Sequence, residues 1–562
     1  MSKALVFINK WSIGILIAIT LLAAILRIYH LDQVPIGFHA DEAYFGYNAY
    51  SISKSLQDAT GNVLPLHLES FLYSPAGYSY IAIPSIVFFG LTSFAIRLPG
   101  ALFGIATIFF VFFLIKELYK DQKHNNILGI VVSSLLAISP WHINLSRASA
   151  EIVVVVFLIM LGTFFYSKWV DQGKKLFISL SFIFFTVSYV FYQAPRAFLP
   201  LFIPILFLLY RPKISAKKLA ILIGAYTICI VLPVVMVLTS DVLSYRLKML
   251  SIFNSPRTNA LLFESITEDG HRQRPVAEVR LFHNKVAGYA SEVFTGYMKH
   301  LSYDFLFTDQ GFPDRYRIPK MGLLYIFELP LLLIGIYSII RNRHKIGFLS
   351  IAWILIGFVG ASLTYDDIPN LQRTLIIFPA LHIIIGFGLF YLFTNIPKRY
   401  LARVSIACIC VVFYFFFYYL HQYYSHQFIH KPIYRQQGYE GLVNAIQQEL
   451  PSYKSIHITS NESSPLILFL FYLSYDPRVF HAYISSREHN YLNEDFGKIS
   501  LDKYIFIPED CPSEKNTDPL ILSVDLGKCG VSDKKNVVKE IMRSDGSVIF
   551  RLVKTGQTQE SL

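Results

Sequence analysis

The sequence predicts a polytopic α-helical membrane protein of about 11 transmembrane helices with a small C-terminal α/β domain outside the membrane. Three observations predict it. Of 562 residues, 54% are hydrophobic and only 16% charged, and the mean hydropathy is +0.46, whereas a soluble domain carries about a quarter charged residues. Apolar runs recur at close to the roughly 20 residues that a bilayer crossing needs. The final stretch loses these runs and alternates short strand-like and helical pieces.

The N-terminus carries Lys3 and Lys10 ahead of the apolar run Trp11 to Leu26. No small-residue cleavage site follows, since Arg27-Ile28-Tyr29-His30 comes directly after, so the run is expected to stay as a first span. Further spans are expected at 98–115, 127–142, 150–168, 175–193, 197–210, 218–239, 321–340, 347–363, 374–395 and 402–420.

Residues 74–90 are apolar but interrupted by Pro75, Gly77 and Pro84, and the positive-inside rule decides their place. If they do not cross, five basic connections share one side: Lys116/Lys120/Lys123, Lys168/Lys174/Lys175, Arg211/Lys213/Lys217/Lys218, Arg341/Arg343/Lys345 and Lys398/Arg399/Arg403. We therefore expect 74–90 to be a helix that lies at the outer interface of the plasma (inner) membrane or re-enters it. The N-terminus is then cytoplasmic and the C-terminus extracytoplasmic. The same basic loops account for the net charge of +12, so nucleic acid is not an expected partner.

The long polar stretches, 30–93, 240–320 and 421–562, all fall on the outer side, and the expected domain boundary runs at 420. In the last stretch, Ser455–Ser460, Leu466–Ser474, Tyr504–Pro508, Leu520–Val524 and Val548–Val553 read as a small α/β domain of residues 421–562. Cys229, Cys408 and Cys410 fall in expected helices as small hydrophobes. Cys511 and Cys529 fall outside, where a disulfide can form.

Polar residues gather at the outer ends. Asp41 and Glu42 follow His39 at the expected start of an amphipathic helix running to about Leu56. Neighbouring helical residues point about 100° apart, so one acid can face a cavity while the other caps the helix or forms a pair. Arg147 and Glu151, at i and i+4, follow the span ending at Trp141-His142 and can equally form a structural ion pair. Tyr189, Tyr192 and Arg196 bracket one outer turn, and Asp366, Asp367 and Arg373 another. The long loop adds Arg280, His283 and Lys285 among other cations, a set that an ordinary solvated face also collects. Arginines fork onto phosphate and a carboxylate can take a proton from a hydroxyl, a combination that suits chemistry on a lipid phosphate.

Several motifs resemble one family. These are Asp41-Glu42, Arg97-Leu98-Pro99-Gly100, Ser139-Pro140-Trp141-His142 with Ser146-Arg147, the Tyr189/Tyr192/Arg196 group, and Leu363-Thr364 with Pro369-Asn370-Leu371-Gln372-Arg373. Their order and expected sidedness over about residues 8–420 are similar to those of the GT-C glycosyltransferases that use polyprenyl-phosphate sugars. The bacterial branch resembling protein O-mannosyltransferases and the lipid A aminoarabinose transferase fits best.

The resemblance implies a sugar passing from a polyprenyl-phosphate donor to a hydroxyl of a protein, lipid or cell-envelope glycan. It places the base on Asp41 beside Glu42, and a loop helix along the membrane. Donor-phosphate ligands are then sought among Arg196, Arg373, Arg147, Arg280 and Lys285, and pocket residues among His39, Tyr189, Tyr192, Glu151 and His283. Where oligosaccharyltransferase relatives carry an Asp-x-Asp metal motif, this chain has Arg147-Ala148-Ser149-Ala150-Glu151, so a divalent metal stays open but is not indicated, and no cofactor is certain. The rival readings are a non-catalytic glycan- or protein-binding relative and a lipid-linked sugar transporter. The inverted repeats of a transporter are not seen in the sequence.

Overall fold

The computed structural model describes residues 2–69, 74–120, 122, 124–212, 215–485, 500–530 and 536–555. It forms two compact units, Met1–Tyr29 with Gly100–Tyr419 and His30–Pro99 with Leu420–Leu562. By contacts, then, the first outer segment groups with the C-terminal domain, where the sequence reading kept it with the spans. The chain is a multi-pass membrane protein, in line with the expected fold class.

In chain order the first helices are α1 (Ser2–Ile28), α2 (Ala40–Ser55), α3 (Gly77–Phe89), α4 (Ser93–Leu118), α5 (Asn125–Ile138), α6 (Pro140–Ser146) and α7 (Ile152–Gln172). Then come α8 (Lys175–Val187), α9 (Ala194–Leu209), α10 (Ala216–Thr239), α11 (Asp241–Leu250), α12 (Pro256–His271), α13 (Val276–Phe282) and α14 (Lys285–His300). The first unit closes with α15 (Glu328–Asn342), α16 (Lys345–Gly357), α17 (Val359–Ser362), α18 (Phe378–Asn395) and α19 (Lys398–His421).

Among the described residues seven helices are long and apolar enough to cross a bilayer, or eight with the pair α5–α6, bent by 62°, taken as one. The other expected spans, 175–193, 197–210 and 321–340, correspond to helices of 13, 16 and 15 residues. By length and apolarity alone seven or eight helices qualify, and the other three expected spans coincide with these shorter helices. Residues 321–327 are not helical: Leu324 N–H donates to Leu306 O at 2.8 Å, and Gln310 Nε2 to Gly322 O at 3.0 Å. Helix α15 therefore starts at Glu328, whose carboxylate accepts from Tyr325 N–H at 2.8 Å.

The ends of several of these helices meet. Lys168 pairs with Glu117 at 2.9 Å, Lys120 with Asp171, and Tyr210 Oη donates to Leu118 O at 3.1 Å. These contacts bring the C-terminal ends of α4, α7 and α9 together. Tyr119 against His344, 5.3 Å between rings, adds the start of α16. Lys123 and Lys213 lie outside the described residues.

At the opposite end, Pro140 breaks the α5–α6 helix. Having no N–H, it leaves the Leu136 carbonyl without its helical donor. The buried Arg27 guanidinium reaches that carbonyl at 3.4 Å and the Ala137 carbonyl at 3.2 Å, with His142 Nδ1 2.9 Å away.

In the second unit, α20 (Gln427–Ile429), α21 (Tyr439–Glu449), α22 (Pro465–Tyr472) and α23 (Pro477–Ser485) accompany a two-stranded sheet and a five-stranded sheet. The small sheet pairs β1 (His67–Leu68) with β2 (Ser74–Pro75). The large one is formed by β3 (Ser455–Thr459), β4 (Tyr504–Ile507), β5 (Ile521–Leu526), β6 (Val537–Met542) and β7 (Val548–Lys554). Its order is β4-β3-β5-β7-β6, with β3 parallel to both neighbours and the β5–β7 and β7–β6 pairs antiparallel. Cys511 and Cys529 are joined, Cα to Cα 5.8 Å.

Candidate functional site

The first outer segment is organised by one arginine. Arg97, fully buried, donates from Nε to Glu42 Oε1 at 3.0 Å and from Nη2 to Oε2 at 2.9 Å. Its remaining N–H groups reach the carbonyls of Leu31, Asp32, Pro35 and Gly37 at 2.7–3.4 Å. A planar fork with five donors suits this cradle, and a lysine could not fill it. Gly37 is required beside it: at φ +75° its backbone passes so close to Arg435 that a Cβ would lie 2.6 Å from the Arg435 carbonyl.

Burial alone would raise the Glu42 carboxyl, but the charge and hydrogen bonds of Arg97, helped by Arg435 and His39, hold it below the usual carboxylate range.

The helix cap is neither acid. His39, not Asp41, is the N-cap: its Nδ1 accepts from Asp41 N–H at 3.1 Å, and Glu42 Oε2 accepts from His39 N–H at 3.4 Å. The structure thus separates the two acids. Glu42 is buried in a fixed pair, whereas the Asp41 side chain stays 21% exposed with Oδ1 3.3 Å from His39 Nδ1.

Nor is α2 amphipathic. Residues 42–49 are all buried, because α2 packs against both α3 and α22. A Cβ at Gly46 would meet the Phe471 ring at 2.7 Å.

In the membrane unit a second polar group forms around Arg373. Its Nη1 donates to Thr364 Oγ1 at 2.8 Å and Asp366 O at 2.9 Å, and its Nη2 pairs with Asp366 Oδ1 at 3.0 Å. Tyr192 feels the charges of Arg373, Glu151 and Arg246, and buried Glu151 accepts from Gln372 Nε2 at 3.0 Å. Burial raises the Asp367 carboxyl against the pull of Arg373 and Arg315. His300, lowered to about 4 by burial, accepts from Asn370 N–H at 2.9 Å and steadies the loop that carries Arg373.

The other expected residues divide. Arg196 is half-buried and donates to Tyr189 O at 3.4 Å, with Tyr189 itself buried. Arg147 is fully buried and donates to the Leu26 and Tyr29 carbonyls at 2.9 and 2.7 Å, a tie to the end of α1. Arg280 and Lys285 are exposed on α13 and α14, and His283 pairs with Asp269 at 2.6 Å.

Sequence reasoning did not single out Gln372, Arg246 or His300. The first lay inside a quoted motif, and the others carry no signal of spacing. Among the described residues no group of three or more His, Cys, Asp or Glu side chains could hold a metal ion. No step below is routed through one.

No family model matches the chain. It is 24% identical over 215 residues to a Bacillus subtilis (strain 168) protein named "Putative mannosyltransferase YycA", a match over 36% of this chain and 28% of that one. The likeness to solved structures is longer. ArnT from Cupriavidus metallidurans in its apo state aligns over 97% of this chain and 98% of that one, with TM-score 0.50 and 12% identity. The same protein bound to undecaprenyl phosphate aligns over 96% and 98%, also with TM-score 0.50 and 12% identity. The archaeal oligosaccharyltransferase AglB from Archaeoglobus fulgidus aligns over 83% of this chain and 64% of its own, with TM-score 0.46. The chain therefore has, over nearly its whole length, the GT-C membrane fold seen in ArnT.

Proposed function

We propose that the chain is a membrane glycosyltransferase that moves a sugar from a polyprenyl-phosphate donor to an acceptor hydroxyl on the outer membrane face, with Asp41 as general base. A fold alone does not fix a function. The observation that carries the proposal is the separation of the two acids: Glu42 is buried in a fork with Arg97, whereas the Asp41 side chain is 21% exposed at the head of a buried helix. The fold shared with a protein solved with undecaprenyl phosphate supports the choice of donor.

The chemistry follows from the leaving group. A polyprenyl-phosphate sugar departs as a phosphate that gains negative charge, and fixed cations lower that barrier without a general acid. Arg373 and Arg196 are the proposed phosphate ligands, with Tyr192 and Glu151 shaping the pocket. One base then suffices, where glycoside hydrolases need two carboxyl groups. Direct attack inverts the anomeric centre.

Purified full-length protein, incubated with a panel of radiolabelled polyprenyl-phosphate sugars and a cell-envelope extract as acceptor, should release polyprenyl phosphate from at least one donor. Release from none, with the protein folded, would overturn the proposal.

A further inference from the structure

The long loop of the membrane unit carries an unusual surface. Helix α13 has no buried residue, and on it and its flanks Val276, Leu281, Phe282 and Val286 are 64–79% exposed. Exposed apolar side chains packed this densely in eleven residues are not what a water-facing loop holds. Interleaved with them are Arg272, Arg280 and Lys285, all exposed and, among the described residues, without an ion pair.

The segment is too short and too charged to cross a bilayer. It is nonetheless tied to the membrane: α11 begins two residues after α10, a candidate span, ends at Thr239. The Asp269–His283 contact at 2.6 Å closes α12 onto the end of α13, so the tip is held as a unit.

We propose that residues 272–286 dock into the surface of an anionic phospholipid bilayer. The apolar side chains enter the boundary between headgroups and acyl chains, and Arg272, Arg280 and Lys285 take lipid phosphates. Apolar burial with basic flanks is the physical signature of interfacial attachment, and each cation near an anionic surface adds to it. The cations expected from the sequence to hold the donor thereby acquire a different ligand, the bulk lipid. The proposal is independent of the reaction.

The test uses the full chain with Cys229, Cys408 and Cys410 replaced by Ser, reconstituted in vesicles that contain phosphatidylglycerol. An environment-sensitive fluorophore is placed at Phe282→Cys and, as an aqueous reference, at Asp545→Cys. At 282 emission should shift to the blue and be quenched several-fold more by acyl-chain doxyl groups than at 545. Replacing phosphatidylglycerol with phosphatidylcholine, or Arg272, Arg280 and Lys285 with Ala, should remove most of that quenching. Equal access of aqueous iodide to the two positions would overturn the docking, and equal quenching in charged and neutral vesicles would overturn the role of the cations. Because all the substituted residues on the loop are exposed, retained thermal unfolding verifies that each variant is folded.

Discussion

At the scale of single residues the decisive pair is Arg97 with Glu42. Removing one member of a buried ion pair costs about 3–5 kcal/mol, because the other charge is left without its partner. Arg97→Met should therefore lower the unfolding temperature markedly, and the double variant Arg97→Met/Glu42→Leu should be more stable than the sum of the two single losses implies, as a double-mutant cycle would measure.

The pH dependence has a fixed sign. Because folded Glu42 is held below its ordinary value of about 4.3, its stabilisation is complete above that value and is lost as pH falls through the lower, folded one. Melting scans from neutral pH downward should show acid destabilisation that is smaller in Glu42→Gln. At the other polar group, Arg196→Ala and Arg373→Ala should weaken donor binding more than Arg280→Ala, as measured by titration with donor; equal effects would remove the ranking.

The adjacent acids were legible in the sequence as two residues with separate jobs. The partner of Glu42 was not, because Arg97 lies 55 residues from it in sequence and only the fold brings the two together.

At the scale of elements, legibility follows how much of each element is decided locally. Strands β3, β4, β5 and β7 alternate or run apolar, and the sequence reading located all four within a few residues. Strand β6 was missed: it is an edge strand with exposed Lys539 and Glu540, held by Glu540 against Arg551 at 2.7 Å, and carries little periodic signal. Helix α22 reads as a continuous apolar run, which periodicity cannot separate from a strand. Helix α2 looked amphipathic from its mix of apolar and polar residues, yet Tyr44, Tyr47, Asn48 and Ser51 are buried along with its apolar side chains.

The disulfide belongs to this scale. Under denaturing, non-reducing conditions three thiols, those of Cys229, Cys408 and Cys410, should react, and all five after reduction. Opening the Cys511–Cys529 link, 18 residues apart, should cost about 3 kcal/mol in the chain-entropy model. Five reactive thiols before reduction would contradict the pairing.

At the scale of the whole molecule, the apolar runs placed the chain in a membrane, and long apolar helices are what the fold contains. Two of the five basic connections that the sequence grouped on one side, those after α4 and α7, meet in the fold through Glu117, Lys120, Lys168 and Asp171. The crossing count was less legible because the proline-interrupted α9 and the late start of α15 shorten helices that read as full spans. A cysteine at Gln172, beside Gly173, whose positive φ would strain a substitution, should resist impermeant reagents added from the outer side; ready labelling would reverse the topology.

The central claim is that this membrane protein transfers a sugar from a lipid phosphate with Asp41 as its base. The most direct measurement compares acceptor-dependent release of polyprenyl phosphate by wild type, Asp41→Asn and Glu42→Gln, with donor binding and thermal unfolding read on the same preparations. The amide of Asp41→Asn cannot take a proton, and loss of a general base is worth roughly 10²–10⁴-fold in rate. Asp41→Asn should therefore fold and bind donor like wild type while losing transfer by that factor, and Glu42→Gln should lose stability first. An Asp41→Asn protein that transfers sugar at the wild-type rate would contradict the account.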